Sequence, residues 1–413
     1  MKRNILHTPA RIHVPGEPLD RRAWLRWAGV AGLAGLLPAG CARRTQVTSP
    51  DEATLIRFPQ KVALRAINDR APCLETPWQY FRHDLTPNEA FYVRWHLEAI
   101  PTHVELRTWR LRIDGHVERP LELSMEDLRR MEAISVVAVN QCSGNSRSFF
   151  EPRVPGGQWV NGAMGNARWT GVRLGDLLRR AGVRAGAVQV SFDGLDEGPL
   201  PSVPDFVKTL DMDHARQPEV LVAYEMNGAP LPMLNGFPAR LVVPGWYATY
   251  WVKALTNITV LDHRFTGFWM ATAYHIPATP GANESPQAHA KLTVPINRMN
   301  VRSFFVRPDP GARAPAGQAW ALEGIAFDGG HGIRQVEFSA DGGGNWSEAR
   351  LGENLGRFSF RRWHAEWTPS ARGEYRLQVR AVNNAGEGQP TQANWNQGGY
   401  MRNVIEEIRV TAI

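Results

Sequence analysis

Cys142 is the residue of this sequence best suited to unusual chemistry. It lies in Val136–Trp169, VVAVNQCSGNSRSFFEPRVPGGQWVNGAMGNARW. Arg147 follows five positions later, and Gly144, Gly156, Gly157, Gly162 and Gly165 let the backbone turn sharply or approach a ligand closely. A thiolate is a soft metal ligand. A guanidinium is a fixed charge shaped for oxyanions. Together on a Gly-rich loop they suit a soft metal centre that handles an anion. No Cys-x-x-Cys is present, which counts against a redox dithiol or a cysteine-rich zinc knuckle. The same residues also describe a free cysteine packed in a turn as a small hydrophobe, so residue types alone leave both readings open.

A second candidate wall is Pro87–Pro101, PNEAFYVRWHLEAIP. Phe91, Val93 and Trp95 alternate with Tyr92, Arg94 and His96, the period of a strand. Arg94 and His96 then share one face, and two donors on one face could meet an anion. A solvated strand face would look the same.

The elements that must position these residues are short. An apolar β-branched run, Ser135–Val139, reads as a buried strand leading into the cysteine loop. Leu111–Gly115 and Leu121–Leu128 read as strand, turn and short helix, with Ser124 as N-cap and Asp127 three residues on. Val172–Ala181 reads as an amphipathic helix, and Val188–Asp193 and Val220–Glu225 as strands. Strand Leu241–Val243 is bracketed by Gly-Phe-Pro and Pro-Gly turns. Residues 45–76 are polar and Pro-punctuated, and read as an extended arm. Cys73 lies there and is expected to be unpaired. Ala278–Ala288 reads as a linker. Beyond it, Trp320–Phe327, Gly332–Ser339, Asn345–Leu351, Phe358–Trp367, Gly373–Asn383 and Val404–Ala412 alternate between Gly/Asp/Asn/Pro turns, the spacing of a β-sandwich.

NQCSGNSR, GGQW and ARWTGV resemble the molybdenum-binding loop of the sulfite oxidase family, closest to its bacterial periplasmic branch, the catalytic subunits of sulfite dehydrogenases. The resemblance runs from about Ala90 to the C-terminus. It implies an α+β molybdopterin-binding domain followed by an all-β immunoglobulin-like sandwich, and a molybdenum–molybdopterin cofactor with Cys142 as the protein's thiolate ligand. F-x-V-R-x-H at 91–96 then implies that the backbone of Tyr92, Val93, Arg94 and His96 meets the pterin and that Arg94 and His96 line the substrate pocket. Arg147, Trp159 and Tyr274 complete that pocket, with Tyr274 donating a hydrogen bond beside the metal. Within Leu231–Leu255 the positions matching pterin ligands are Asn235, Arg240, Trp251, Val252 and Lys253. Asn235 and Trp251 depart from the histidines of the animal enzymes. No family role falls on His275. In the animal enzymes a W-N-x-R-G turn sends an arginine into the pocket. Here Trp395-Asn396-Gln397-Gly398-Gly399 puts Gly398 in that place, with Arg402 the nearest substitute. The family's C-terminal domain commonly forms a homodimer.

At 413 residues the chain has room for several domains. The expected division is 1–40 targeting segment, 41–86 arm, 87–287 catalytic domain and 288–413 sandwich. Asp20–Arg26, DRRAWLR, matches a twin-arginine signal, and Trp27–Leu37 is too short to span a membrane. Leu37–Cys41 resembles a lipoprotein box with Leu one position early, so lipidation at Cys41 and cleavage near Ala39 or Ala42 both stay open. Of the net charge of +7, four lie before residue 41, and the remaining three form no basic run, which argues against nucleic-acid binding. No Cys-x-x-Cys-His, Gly-x-Gly-x-x-Gly or His-Glu-x-x-His occurs, so electrons taken from a substrate would leave through a separate carrier. The expectation is a periplasmic enzyme that oxidises sulfite and reduces a c-type cytochrome. The alternatives are a molybdenum subunit acting on sulfane sulfur or a sulfoxide, and a metal-free binding module.

Overall fold

The structure is a computed structural model that describes residues 55–413 apart from 59, 69 and 70. The twin-arginine stretch and Cys41 lie outside the described residues. Strands dominate: among the described residues the α-helices run only from four to eight residues, so residues 87–287 are less helical than the α+β expectation.

The arm is not merely extended. Ala63–Asn68 and Cys73–Glu75 join Leu55–Arg57 and Val93–Arg94 in a four-stranded sheet, with Cys73 directly opposite Arg94. Buried Lys61 and Glu75 anchor it. Lys61 Nζ donates to the carbonyls of Asn88 at 2.6 Å and Phe91 at 3.0 Å. Glu75 pairs with Arg65 and accepts the Val160 N–H at 2.6 Å. These bonds offset the cost of burying ionisable groups, which is large when they stand alone.

Two further sheets carry the loops that matter. In one, strands 208–211, 189–193, 257–261, 111–115 and 121–123 lie in that order. In the other, the hairpin Ala133–Gln141 and Met164–Arg173 pairs over nine positions and flanks the cysteine loop. The expected strand 135–139 therefore extends at both ends. Val172 and Arg173 end the second hairpin strand rather than opening a helix, and the helix is Leu174–Ala181. Val172 has a β-branched side chain buried in the sheet, where such residues pack best. Ser124 caps Met125–Arg130 in a full capping box with Asp127. Trp169, Val172, Val222 and Leu241 belong to the large core under this sheet.

After residue 300, two sheets stack. One holds 302–307, 320–327, 361–367 and 350–351, and the other 313–314, 406–412, 373–383, 333–339 and 347–348. Phe305, Leu322 and Trp363 of the first meet Val336, Leu377, Val379 and Val410 of the second, the interior of a two-layer sandwich. The expected strand Asn345–Leu351 is split, Ser347–Glu348 pairing in one sheet and Arg350–Leu351 in the other.

Candidate active site

Cys142 is the first residue past the hairpin strand. Its N–H donates to Ala163 O at 2.9 Å, and its carbonyl accepts from Asn145 N at 3.0 Å. A tight turn follows, with Ser146 in the left-handed region at φ 70°. Gly144 is required by proximity: a Cβ there would lie 2.4 Å from Arg147 Nη2.

The thiol opens on a partly enclosed cavity. Tyr92, Arg94, His96, Asn140, Cys142, Ser143, Asn235, Arg240, Thr249, Lys253 and Tyr274 line it. Most of the sequence-predicted residues thus converge here. Val93, Arg147, Trp159, Trp251 and Val252 do not line it. The last two are fully covered, and the Trp251 carbonyl accepts from Arg240 Nη2 at 3.2 Å.

His96 Nε2 and the Tyr274 hydroxyl share a hydrogen bond. The His96 ring stacks on Phe206 with centroids 3.7 Å apart. Burial, then the charges of Arg94, Lys253 and Lys208, hold the imidazole well below its ordinary pKa, so it is neutral. Burial alone would lower the Arg94 guanidinium, yet it stands above its ordinary value, so it is charged near neutrality.

Asn235 Nδ2 donates to Tyr92 O at 3.0 Å, and its Oδ1 accepts from Lys61 Nζ at 2.5 Å. Arg240 donates to Asn235 O at 2.9 Å and lies over the Trp169 ring at 4.9 Å. Lys253 is 4.5 Å from the Trp95 ring, and burial lowers its pKa to about 7 despite nearby Asp196.

Arg147 is spent elsewhere. Nε and Nη2 donate to Gly398 O at 3.2 and 2.9 Å, and Nη1 donates to Gly157 O at 3.2 Å. The turn expected to lack a pocket arginine therefore supplies a carbonyl that holds Arg147 in place. Two residues on, Tyr400 stacks on Tyr274 at 5.5 Å and 20°, under the Arg147 guanidinium at 5.3 Å. Met401 N donates to Ser143 O at 3.0 Å. Arg402 does not substitute for the missing arginine: it pairs with Glu406 at 2.7 Å and covers Phe149. His275 satisfies both ring nitrogens, with Thr293 Oγ1 and Met270 O. Cys73 is free and buried, as expected.

Lys61, Asn140, Thr249, Lys208 and Tyr400 were not legible as site residues. Only Lys208 leaves a signal: Phe206, Lys208 and Leu210 alternate, so the lysine must point inward with two apolar neighbours.

Five lining residues hold a buried polar atom with no partner: His96 Nδ1, Asn140 Nδ2, Ser143 Oγ, Arg240 Nε and Thr249 Oγ1. Each costs about 1–3 kcal/mol when left unpaired. Such a concentration fits a large polar prosthetic group. Among the described residues no cluster of three His, Cys, Asp or Glu could bind a metal, so a metal at Cys142 needs ligands from that group.

Comparison with known proteins agrees. Residues 96–269 match the oxidoreductase molybdopterin binding domain family, and 293–413 the Mo-co oxidoreductase dimerisation domain, which supports a homodimer. The chain is 32% identical to mitochondrial sulfite oxidase of Mus musculus over 374 residues, 87% of this chain and 67% of that one. It is 34% identical to sulfite oxidase of Gallus gallus over 332 residues, 77% and 71% of the two chains. The crystal structure of the sulfane dehydrogenase SoxCD from Paracoccus pantotrophus superposes with a TM-score of 0.72 at 24% identity, covering 90% of this chain and 92% of that one, a likeness of fold. The cofactor is molybdenum–molybdopterin, and this chain belongs to the sulfite oxidase family of molybdenum oxidoreductases.

Proposed function

We propose that the chain oxidises sulfite to sulfate and passes the electrons singly to a c-type cytochrome. The observation that carries this reading is that Arg94, His96 and Tyr274 line the same cavity as Cys142: one fixed cation and a hydrogen-bonded neutral pair. Bound at Cys142, the cofactor supplies the two-electron redox chemistry and the oxygen transfer.

The protein's own groups do the rest. Arg94 attracts and orients the sulfur oxyanion. Neutral His96 fixes the Tyr274 hydroxyl by hydrogen bonding, so that Tyr274 meets an oxygen of substrate or product. Tyr92, Asn235, Arg240 and Lys253 would hold the pterin from the cavity wall, with Val93, Trp251 and Val252 packed behind them and the Trp251 carbonyl steadying Arg240. Trp159 and Arg147 brace the loop behind the pocket. A related reading, oxidation of sulfane sulfur or reduction of a sulfoxide, gains some support from Gly398, which leaves the pocket one arginine short of the animal enzymes' pattern.

Export through the twin-arginine signal places the enzyme in the periplasm in this reading, with or without a lipid at Cys41. Among the described residues no helix is long and apolar enough to cross a membrane. Cell fractionation of an Arg21→Lys/Arg22→Lys double variant tests the address; undiminished periplasmic activity would sink it. The immunoglobulin-like C-terminal domain is the proposed dimer contact. The deciding assay is purified holoprotein with molybdenum quantified: sulfite should reduce added cytochrome c, without haem absorption in the protein itself. Fast sulfite-dependent oxygen consumption without a cytochrome would overturn the acceptor, and turnover only with sulfane sulfur would overturn the substrate.

A further inference from the structure

Lys208 is 1% exposed at the start of strand Lys208–Asp211, with Leu210 on the same face of the strand and Phe206, just before it, buried too. Its ammonium donates to the Trp269 carbonyl at 2.5 Å. Beyond that bond it faces rings: Nζ is 4.8 Å from the centroid of Tyr250 and 5.4 Å from that of Tyr274. An ammonium has three N–H groups, and one carbonyl satisfies one of them. No carboxylate pairs with it among the described residues. Asp211, on the opposite face of the strand, is exposed and bonds Gln189 and Arg264. The titratable groups that face Lys208 are Tyr250, Tyr274 and His96. Burial raises both tyrosines above their ordinary range, and His96 is neutral, so none offers a counter-charge.

A buried charge without a partner is costly. Yet Tyr274, whose ring lies against this ammonium, lines the Cys142 cavity, and Lys208 already disfavours protonation of His96 through space. The place where an anion would relieve the cost is the cavity beyond the ring.

We propose that Lys208 is a further cation of the anion pocket, seated behind Tyr274, whose counter-charge is the substrate's own. The idea rests on the sulfur-oxyanion reading above. Burial lowers the amine to about 7, so near neutrality it exchanges its proton with solvent. An anion in the cavity favours the charged form. Anion binding at pH 7–8 then draws a proton onto Lys208, and well below pH 6, where the amine is already charged, it draws none. At pH 7 the uptake reaches about half a proton per site.

Sulfate is the suitable probe, because its own protons do not titrate near neutrality. Metal-loaded enzyme is titrated calorimetrically with sulfate in two buffers of different ionisation heat. Wild type should bind with proton uptake. Lys208→Arg, which keeps the charge, should bind with about half a proton less uptake than wild type at pH 7 and retain its thermal stability. Lys208→Met should bind about tenfold more weakly, with the same reduction in uptake. Equal uptake in Lys208→Met would assign the proton to His96 or Lys253 and overturn the proposal. Unchanged affinity in that variant, or binding by wild type without uptake, would overturn it as well. A wild-type holoenzyme that neither binds sulfate nor oxidises sulfite would instead refute the oxyanion reading, and Lys208's role with it.

Discussion

Between the two C-terminal sheets, Phe305, Leu322, Val336, Trp363, Leu377 and Val379 fill the interior with apolar side chains, and Trp363 donates its Nε1–H to Ser303 Oγ at 3.0 Å. The wall of the Cys142 cavity is largely buried too, but polar, and five of its residues leave an atom unpaired. The sandwich interior gains its stability from burial and close packing. The cavity wall is finished only when something binds. The lesson is that the cofactor is part of the structure on one side of the molecule and irrelevant to it on the other.

The sharpest way to break this comparison is Cys142→Ser. A hydroxyl cannot replace a soft thiolate on molybdenum, so sulfite turnover should disappear while the chain stays folded. Wild-type turnover in pure, folded variant protein would remove the cavity from the chemistry altogether. Next in size is Trp363→Ala in the sandwich. It should cost about 3–5 kcal/mol of stability, read as a fall in melting temperature, with activity per folded molecule unchanged at low temperature. Arg94→Ala should raise KM for sulfite about tenfold to a hundredfold, the loss of a charged hydrogen bond worth roughly 1.5–3 kcal/mol. Arg147→Ala should chiefly lower the melting temperature, because its donors are taken by Gly398 and Gly157. A KM within about twofold of wild type for Arg94→Ala, or a large KM effect confined to Arg147→Ala, would exchange their roles. The smallest effect is the most telling. Thr249→Val removes an unpaired hydroxyl, so cofactor-free protein should be unchanged or more stable by up to about 1 kcal/mol, yet retain less molybdopterin. A clear loss of stability without cofactor would show that Thr249 is already satisfied by the fold.

Much of the cavity was legible because its residues sit in local motifs. Cys142 follows an apolar run that must be a strand, and Arg94 and His96 follow a period of two. Asn235, Arg240, Lys253 and Tyr274 were readable only through family resemblance, since nothing local distinguishes Lys253 from a solvated lysine. Arg147 was placed by residue type in the pocket. Its actual partners, Gly398 and Gly157, are backbone carbonyls, and carbonyls have no signature in a sequence. Tyr400 and Lys61 escaped for a related reason: their contacts bridge Tyr400 to Tyr274 and Lys61 to Asn235, long separations that no window of local periodicity spans. The arm between 45 and 76 looked irregular because its strands are short and its charged residues, Lys61 and Glu75, are buried against the grain of composition.

The contact of the 398–401 segment with the cysteine loop also sets an order of events. Gly398 O holds Arg147, and Met401 N–H holds Ser143, the residue after the thiol. During synthesis from the N-terminus, Cys142 therefore waits for more than half of the chain to emerge before its loop acquires these bonds. Assembly of the site is a late event, and a ribosome-bound chain lacking its last strands offers the cofactor an unfinished seat. The seat that the cysteine loop begins is thus finished by residues near the other end of the chain.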